Sequence, residues 1–73
     1  MDNIPTYYNG LIKELKEQFN HLQARWNQLY TQRRYAIHAK KADRVEEITA
    51  QMLAITKQQT AIHEKLERLA AKR

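Results

Sequence analysis

A heptad pattern in the first half of the chain constrains the fold more than any other feature of the sequence. Its positions alternate between spacings of three and four residues, and all except Arg33 are apolar or aromatic: Tyr8, Ile12, Leu15, Phe19, Leu22, Trp26, Leu29, Arg33 and Ala36. A stripe with a period of about 3.5 residues stays on one side of a long helix that winds against a partner helix. This half of the chain is therefore predicted to form one helix of a coiled coil.

The second half of the chain repeats the pattern and supplies the partner helix. Its positions are apolar with one polar exception: Val45, Ile48, Met52, Ile55, Gln59, Ile62, Leu66 and Leu69. A single fold-back near residues 39–42 pairs Ile12 with Leu69 at one end of the hairpin. The same fold-back pairs Ala36 with Val45 at the other end, and every layer between them matches. We therefore predict an all-α fold, an antiparallel two-helix coiled-coil hairpin.

Local signals predict where each helix begins and ends. Pro5 suits the first turn of a helix, where its missing N–H leaves no bond unmade. The Asn9-Gly10 pair disfavours helix by about 1 kcal/mol, so helix one is predicted from Pro5 with a local break at this pair and firm helix from Leu11. Asp43 and Glu46 have the spacing of a capping box. These signals predict a single domain, residues 1–73, with helix one over 5–39, a turn over 40–43 and helix two over 44–72.

The small size of the chain predicts self-association. A core in a chain of 73 residues seldom contributes more than about 3–5 kcal/mol unless disulfides, metals or a partner add to it. The sequence contains no cysteine, and its three histidines lack the paired spacing of a zinc site. We therefore expect no cofactor and no metal, and a homodimer that forms a four-helix bundle.

Hydropathy predicts a protein of the cytoplasm that does not engage membranes. No apolar run approaches the roughly 20 residues of a bilayer span, and the first residues lack the apolar core of a signal peptide. Both apolar stripes are used in helix pairing, so neither helix has a free apolar face for a membrane surface.

One flank of the predicted hairpin is nearly free of charge, and we call it the neutral flank. It comprises Gln23, Asn27, Tyr30, Ile37, Thr49, Leu53, Thr56, Thr60 and His63. Solvent-facing helices normally carry Glu and Lys at such positions, and the sequence has no acid between Glu17 and Asp43. We predict that a second copy or another, unidentified protein covers this surface. The predicted contact residues are Tyr30, Ile37, Leu53, Thr56 and His63. The alternative is a tolerant polar surface with scattered apolar residues, as many folded proteins have.

The opposite flank is basic, and we call it the basic flank. It comprises Arg25, Arg44, Lys65, Arg68 and Lys72, interspersed with Gln18, Gln32, Gln51 and Gln58. With a net charge of +5, the chain has the electrostatic character of proteins that bind phosphate backbones. The alternative function is therefore binding of RNA or DNA through Arg25, Arg34, Lys40, Lys41 and Arg44. Lysines and arginines on outer helix faces are also commonly solvated and without a partner.

The sequence does not predict an enzyme. By heptad position, His21, His38 and His63 lie on different faces of the hairpin, without a neighbouring carboxylate and nucleophile. A two-helix rod also lacks a cleft that excludes water. The primary prediction is a non-catalytic protein-interaction module, a small adaptor, scaffold or inhibitor.

Overall fold

Two long helices make up the fold. The computed structural model describes residues 3–71, with side chains from residue 8 onward. Helix α1 spans Asn3–His38 and helix α2 spans Ala42–Ala71. The helices pack against each other in a rod with extents of 59, 15 and 11 Å. The described residues contain no strand. The predicted all-α hairpin is confirmed.

Helix α1 begins earlier than the sequence predicts. It starts at Asn3, two residues before Pro5, and continues through Asn9-Gly10 without a break. The expected interruption there is wrong. Gly10 is exposed, so its unfavourable helix propensity of about 1 kcal/mol is the main local penalty. Partial burial of Tyr8 and Ile12 on either side favours the helical conformation.

A left-handed residue ends helix α1. Lys40 has φ 59°. Its N–H donates to the Ile37 carbonyl at 3.0 Å, and the Lys41 N–H donates to the Ala36 carbonyl at 3.0 Å. This pair of bonds defines a Schellman motif, a helix end that usually has glycine at the left-handed position. The motif ends α1 at His38, one residue before the predicted end.

Helix α2 begins two residues before the predicted Arg44. The Val45 N–H donates to the Lys41 carbonyl at 3.0 Å, and this bond belongs to the first turn of α2. Asp43 therefore lies inside the first turn and not at the cap, so the predicted capping box is wrong. The Asp43 carboxylate still lies at the positive end of the helix dipole. The predicted last residue of helix two, Lys72, lies outside the described residues.

The core is built from the predicted heptad positions, which together form the seam between the two helices. The buried apolar side chains are Leu29, Ala36, Ile48, Met52, Ile55 and Ile62. The partly buried Leu22, Trp26 and Val45 pack against the main cluster. Contacts across the pair agree with the predicted register: the Gln59 Nε2 donates to the Phe19 carbonyl at 3.4 Å, one turn from the predicted facing residue Leu22.

Candidate protein-interaction surface

Large apolar side chains are exposed on the neutral flank. Tyr30 is 44% exposed, Ile37 47% and Leu53 59%. Tyr30 and Ile37 each follow a buried seam residue of α1, Leu29 and Ala36, so they lie at the edge of the seam. Leu53 follows Met52 of α2 in the same way. Two helices cannot bury these positions, because the seam between them is already filled.

Trp26 extends this surface toward the end of the hairpin opposite the turn, which we call the open end. Its ring stacks on the ring of Tyr30, with centroids 5.6 Å apart and an interplanar angle of 15°. The pair is four residues apart, a spacing that places side chains side by side on a helix. The heptad position of Trp26 by itself predicts a core residue. The spacing to Tyr30 is the signal that could have shown its second role at the flank.

The amides of the neutral flank are bonded to one another. Gln59 reaches out from the seam, and its Nε2 donates to Gln23 Oε1 at 3.1 Å. The Gln23 Nε2 donates in turn to Asn27 Oδ1 at 3.1 Å. This chain of bonds joins both helices across the flank. Covering it would remove few hydrogen bonds to water, because several donors and acceptors are already paired.

The threonine hydroxyls of the neutral flank are also satisfied locally. Thr49, Thr56 and Thr60 each donate to the backbone carbonyl four residues earlier, at 2.7, 3.1 and 3.0 Å. The Thr49 hydroxyl also accepts from Arg33 Nε at 2.9 Å. Arg33, the charged exception in the α1 seam, therefore directs its guanidinium toward the neutral flank. These bonds lower the desolvation penalty of burying the threonines.

His63 is the residue of the neutral flank that lies nearest the open end of the hairpin. Its Nε2 lies 2.9 Å from Glu67 Oε1, and both side chains are well exposed. His63 also lines a surface depression with Lys16, Phe19, Asn20 and Leu66. By heptad position all five predicted contact residues lie on one flank, with Thr56 between Leu53 and His63. Their role as an interface stays a prediction.

The structure does not bring the predicted nucleic-acid residues together on one face. All five are exposed. By heptad position Arg25 and Arg44 lie on the basic flank, whereas Arg34 lies on α1 at the outer edge of the neutral flank, beside Tyr30. Lys40 and Lys41 lie in the connection. The Arg44 Nη1 is 3.5 Å from Glu47 Oε1, so its charge is partly compensated.

Arg34 instead lies in an aromatic depression on the outside of α1. The depression is lined by Tyr30, Thr31, Arg34, Tyr35 and His38. Tyr35 is 74% exposed, so one face of its ring is open to a ligand.

The described residues, 3–71, offer neither a cluster of metal ligands nor a membrane-spanning helix. Within this range, no three His, Cys, Asp or Glu residues are grouped closely enough to hold a metal ion. Neither described helix has an apolar stretch long enough to cross a bilayer.

Comparison of the chain with protein-family models, with curated proteins and with solved structures finds no match.

Proposed function

We propose that this protein is a non-catalytic interaction module that self-associates through its neutral flank. Two hairpins that pack flank to flank form a four-helix bundle. The bundle then acts as a small adaptor, scaffold or inhibitor toward a larger protein. The observation that carries the proposal is the exposure of Tyr30, Ile37 and Leu53 on one flank of the rod.

The hydrogen bonds around these side chains support the proposal. An interface is favourable when apolar area is removed from water and polar groups are not left unpaired. On the neutral flank, the Gln59–Gln23–Asn27 chain and the threonine hydroxyls already have partners within the hairpin. These bonds lower the desolvation penalty of covering the flank.

Substitutions at the centre of the flank test the proposal. Leu53→Glu and Tyr30→Glu are each expected to convert the dimer to a monomer, because each places a charge in an apolar contact. Light scattering should then give a mass near 8.7 kDa instead of twice that value. Circular dichroism should remain helical, because both positions lie outside the hairpin seam.

The chain offers a matched control for each substitution. Tyr35→Glu makes the same change on the same helix at a residue that is more exposed than Tyr30. Ala54→Glu introduces the same charge directly beside Leu53 but off the flank. Both controls are expected to remain dimeric. A wild-type protein that is monomeric at all concentrations, or four variants with the same mass, would contradict the proposal.

A second candidate function is nucleic-acid binding near the turn. It is supported by the open ring of Tyr35 beside Arg34 and His38, on a stretch without acids between Glu17 and Asp43. Aromatic rings stack on bases while cations contact phosphates. Lys40 and Lys41 add positive charge to this end of the rod.

A salt series separates the two candidates. Labelled duplex, hairpin and single-stranded nucleic acids are titrated with the protein between about 50 and 200 mM salt, where phosphate binding weakens steeply. If the second candidate is correct, Arg34→Gln and Tyr35→Ala weaken binding, whereas Leu53→Ala does not. An absence of binding at the lowest salt concentration would eliminate this candidate.

A further inference from the structure

The two helices carry charges of opposite sign along the edges of the neutral flank. By heptad position, the α1 edge of the flank carries cations and no acid: Lys13 and Lys16 near the open end, and Arg34 near the turn. The α2 edge carries acids: Glu46 near the turn and Glu67 near the open end. The structure supports two of these positions directly, because Lys16 shares a depression with His63, and Glu46 shares one with Ile37.

Only two symmetric arrangements bring this flank against itself. In the first, the two-fold axis is parallel to the helices, both turns lie at the same end, and α1 faces the partner's α2. In the second, the axis crosses the helices at a right angle, the turns lie at opposite ends, and α1 faces the partner's α1. The two arrangements bury the same side chains but pair different charges.

We propose that the dimer adopts the first arrangement, with both turns at the same end. This inference rests on the proposed self-association through the neutral flank. Lys13 then faces the partner's Glu67, and Arg34 faces the partner's Glu46. In both pairs the two residues lie at the same height within roughly one residue's rise, about 1.5 Å. The two-fold axis repeats both pairs, so opposite charges meet at all four corners of the interface.

The second arrangement places like charges together. With α1 against the partner's α1, the facing flank positions contain only cations and neutral residues. With α2 against the partner's α2, the ionisable groups that meet are the carboxylates of Glu46 and Glu67 and the His63 imidazole. Like charges across an interface disfavour the wrong pairing and so define the orientation.

The centre of the flank fits the first arrangement as well. Leu53 then meets the partner's α1 between Asn27 and Tyr30, the stretch where the Trp26–Tyr30 stack provides apolar surface. Along the helix axes, neutral side chains occupy the centre of the interface between the charged corners, so no charge is buried there.

Spin labels at the two ends of the rod test the orientation. The chain has no cysteine, so Lys41→Cys at the turn and Arg68→Cys near the open end each provide one labelling site off the flank. With both turns at one end, each labelled dimer should give an intermolecular distance of roughly 35 Å or less, about three helix diameters. With turns at opposite ends, at least one of the two samples must reach about 40 Å, because residues 41 and 68 are separated by about that length at 1.5 Å per residue.

The possible results separate this inference from the proposed function. A dimeric mass with one long distance would overturn the orientation and leave self-association intact. A monomeric mass without dipolar coupling would overturn the proposed function itself. Two short distances in a dimer would support both.

Charge reversal gives an independent readout. Lys13→Glu combined with Arg34→Glu should weaken dimerisation by about tenfold or more, because it replaces attraction by repulsion at all four corners. Adding Glu46→Lys and Glu67→Lys should restore the dimer. Arg25→Glu with Lys65→Glu on the basic flank makes the same change in net charge and should have no such effect. Equal weakening by both double variants, or no rescue, would overturn the inference.

Discussion

The turn half and the open half of the hairpin use the same heptad pattern but bury it to different extents. Near the turn, Leu29 and Ile48 are each 1% exposed and Ala36 is 6% exposed. Toward the open end, Ile62 is buried, but the other seam residues are only partly buried: Ile12, Leu15, Phe19, Leu66 and Leu69. A heptad pattern defines which side chains face inward, whereas the residues beside the seam determine how far water is excluded.

The residues beside the seam differ between the two halves. In the turn half, the Trp26–Tyr30 stack and the Arg33–Thr49 hydrogen bond lie along the neutral side of the seam. In the open half, surface depressions reach the seam from both sides. One is lined in part by Leu15 and Leu69, and another by Phe19 and Leu66.

The largest expected difference between the halves is in the response to cavity formation. Leu29→Ala should lower the free energy of unfolding by about 3 kcal/mol, since it removes a fully buried side chain. Leu15→Ala should lower it by only about 1 kcal/mol, because the side chain is already partly hydrated. Chemical denaturation of both variants at one fixed protein concentration measures the difference. Equal losses would show that the two halves are equally well packed in solution.

A smaller effect is expected at Gln59, which lies where the two halves meet. Gln59→Leu makes the seam continuous and should raise the free energy of unfolding by about 1 kcal/mol, because an apolar side chain replaces a half-buried polar one. Amide hydrogen exchange should then slow on the open-end side, around Phe19 and Leu22. Gln58→Leu is the control, since Gln58 is exposed. The same gain in both variants would mean that the boundary is not at Gln59.

Gly10→Ala tests whether local helix propensity weakens the open end. A Cβ at this position meets no atom within 4 Å, so the substitution should raise the free energy of unfolding by about 0.8 kcal/mol. The added protection in amide exchange should be confined to the open half. Ala24→Gly, at an exposed position within α1, should produce a loss of similar size. If Gly10→Ala changes neither stability nor exchange, residues around Gly10 are not helical in solution.

The smallest expected effect is at the turn. Lys40→Gly should raise the free energy of unfolding by about 0.5 kcal/mol, because the left-handed conformation is strained for lysine and not for glycine. Lys41→Gly is the control, because Lys41 has no positive φ, and it should give no gain. Thermal denaturation at matched concentration distinguishes the two. A loss of stability in Lys40→Gly would contradict the proposed strain.

The candidate interface was predictable in its position but not in its chemistry. The spacing of Tyr30, Ile37 and Leu53 relative to the seam places them on one flank from sequence alone. The bonds from Gln59 to Gln23 and from Arg33 to Thr49 cross between helices. Such bonds depend on rotamers and interhelical distance, which periodicity does not specify.

By itself, the sequence determined the fold and the register, because a 3.5-residue stripe must face a partner and one fold-back matches every layer. Only the tertiary structure decided the ends of the helices at the turn. There, backbone bonds to the Ala36 and Ile37 carbonyls end α1 with a left-handed Lys40, and the bond from the Val45 N–H to the Lys41 carbonyl starts α2 before the predicted Asp43 cap. The unequal burial of the two halves was likewise decided by the structure, since exclusion of water depends on the side chains that flank the seam in space.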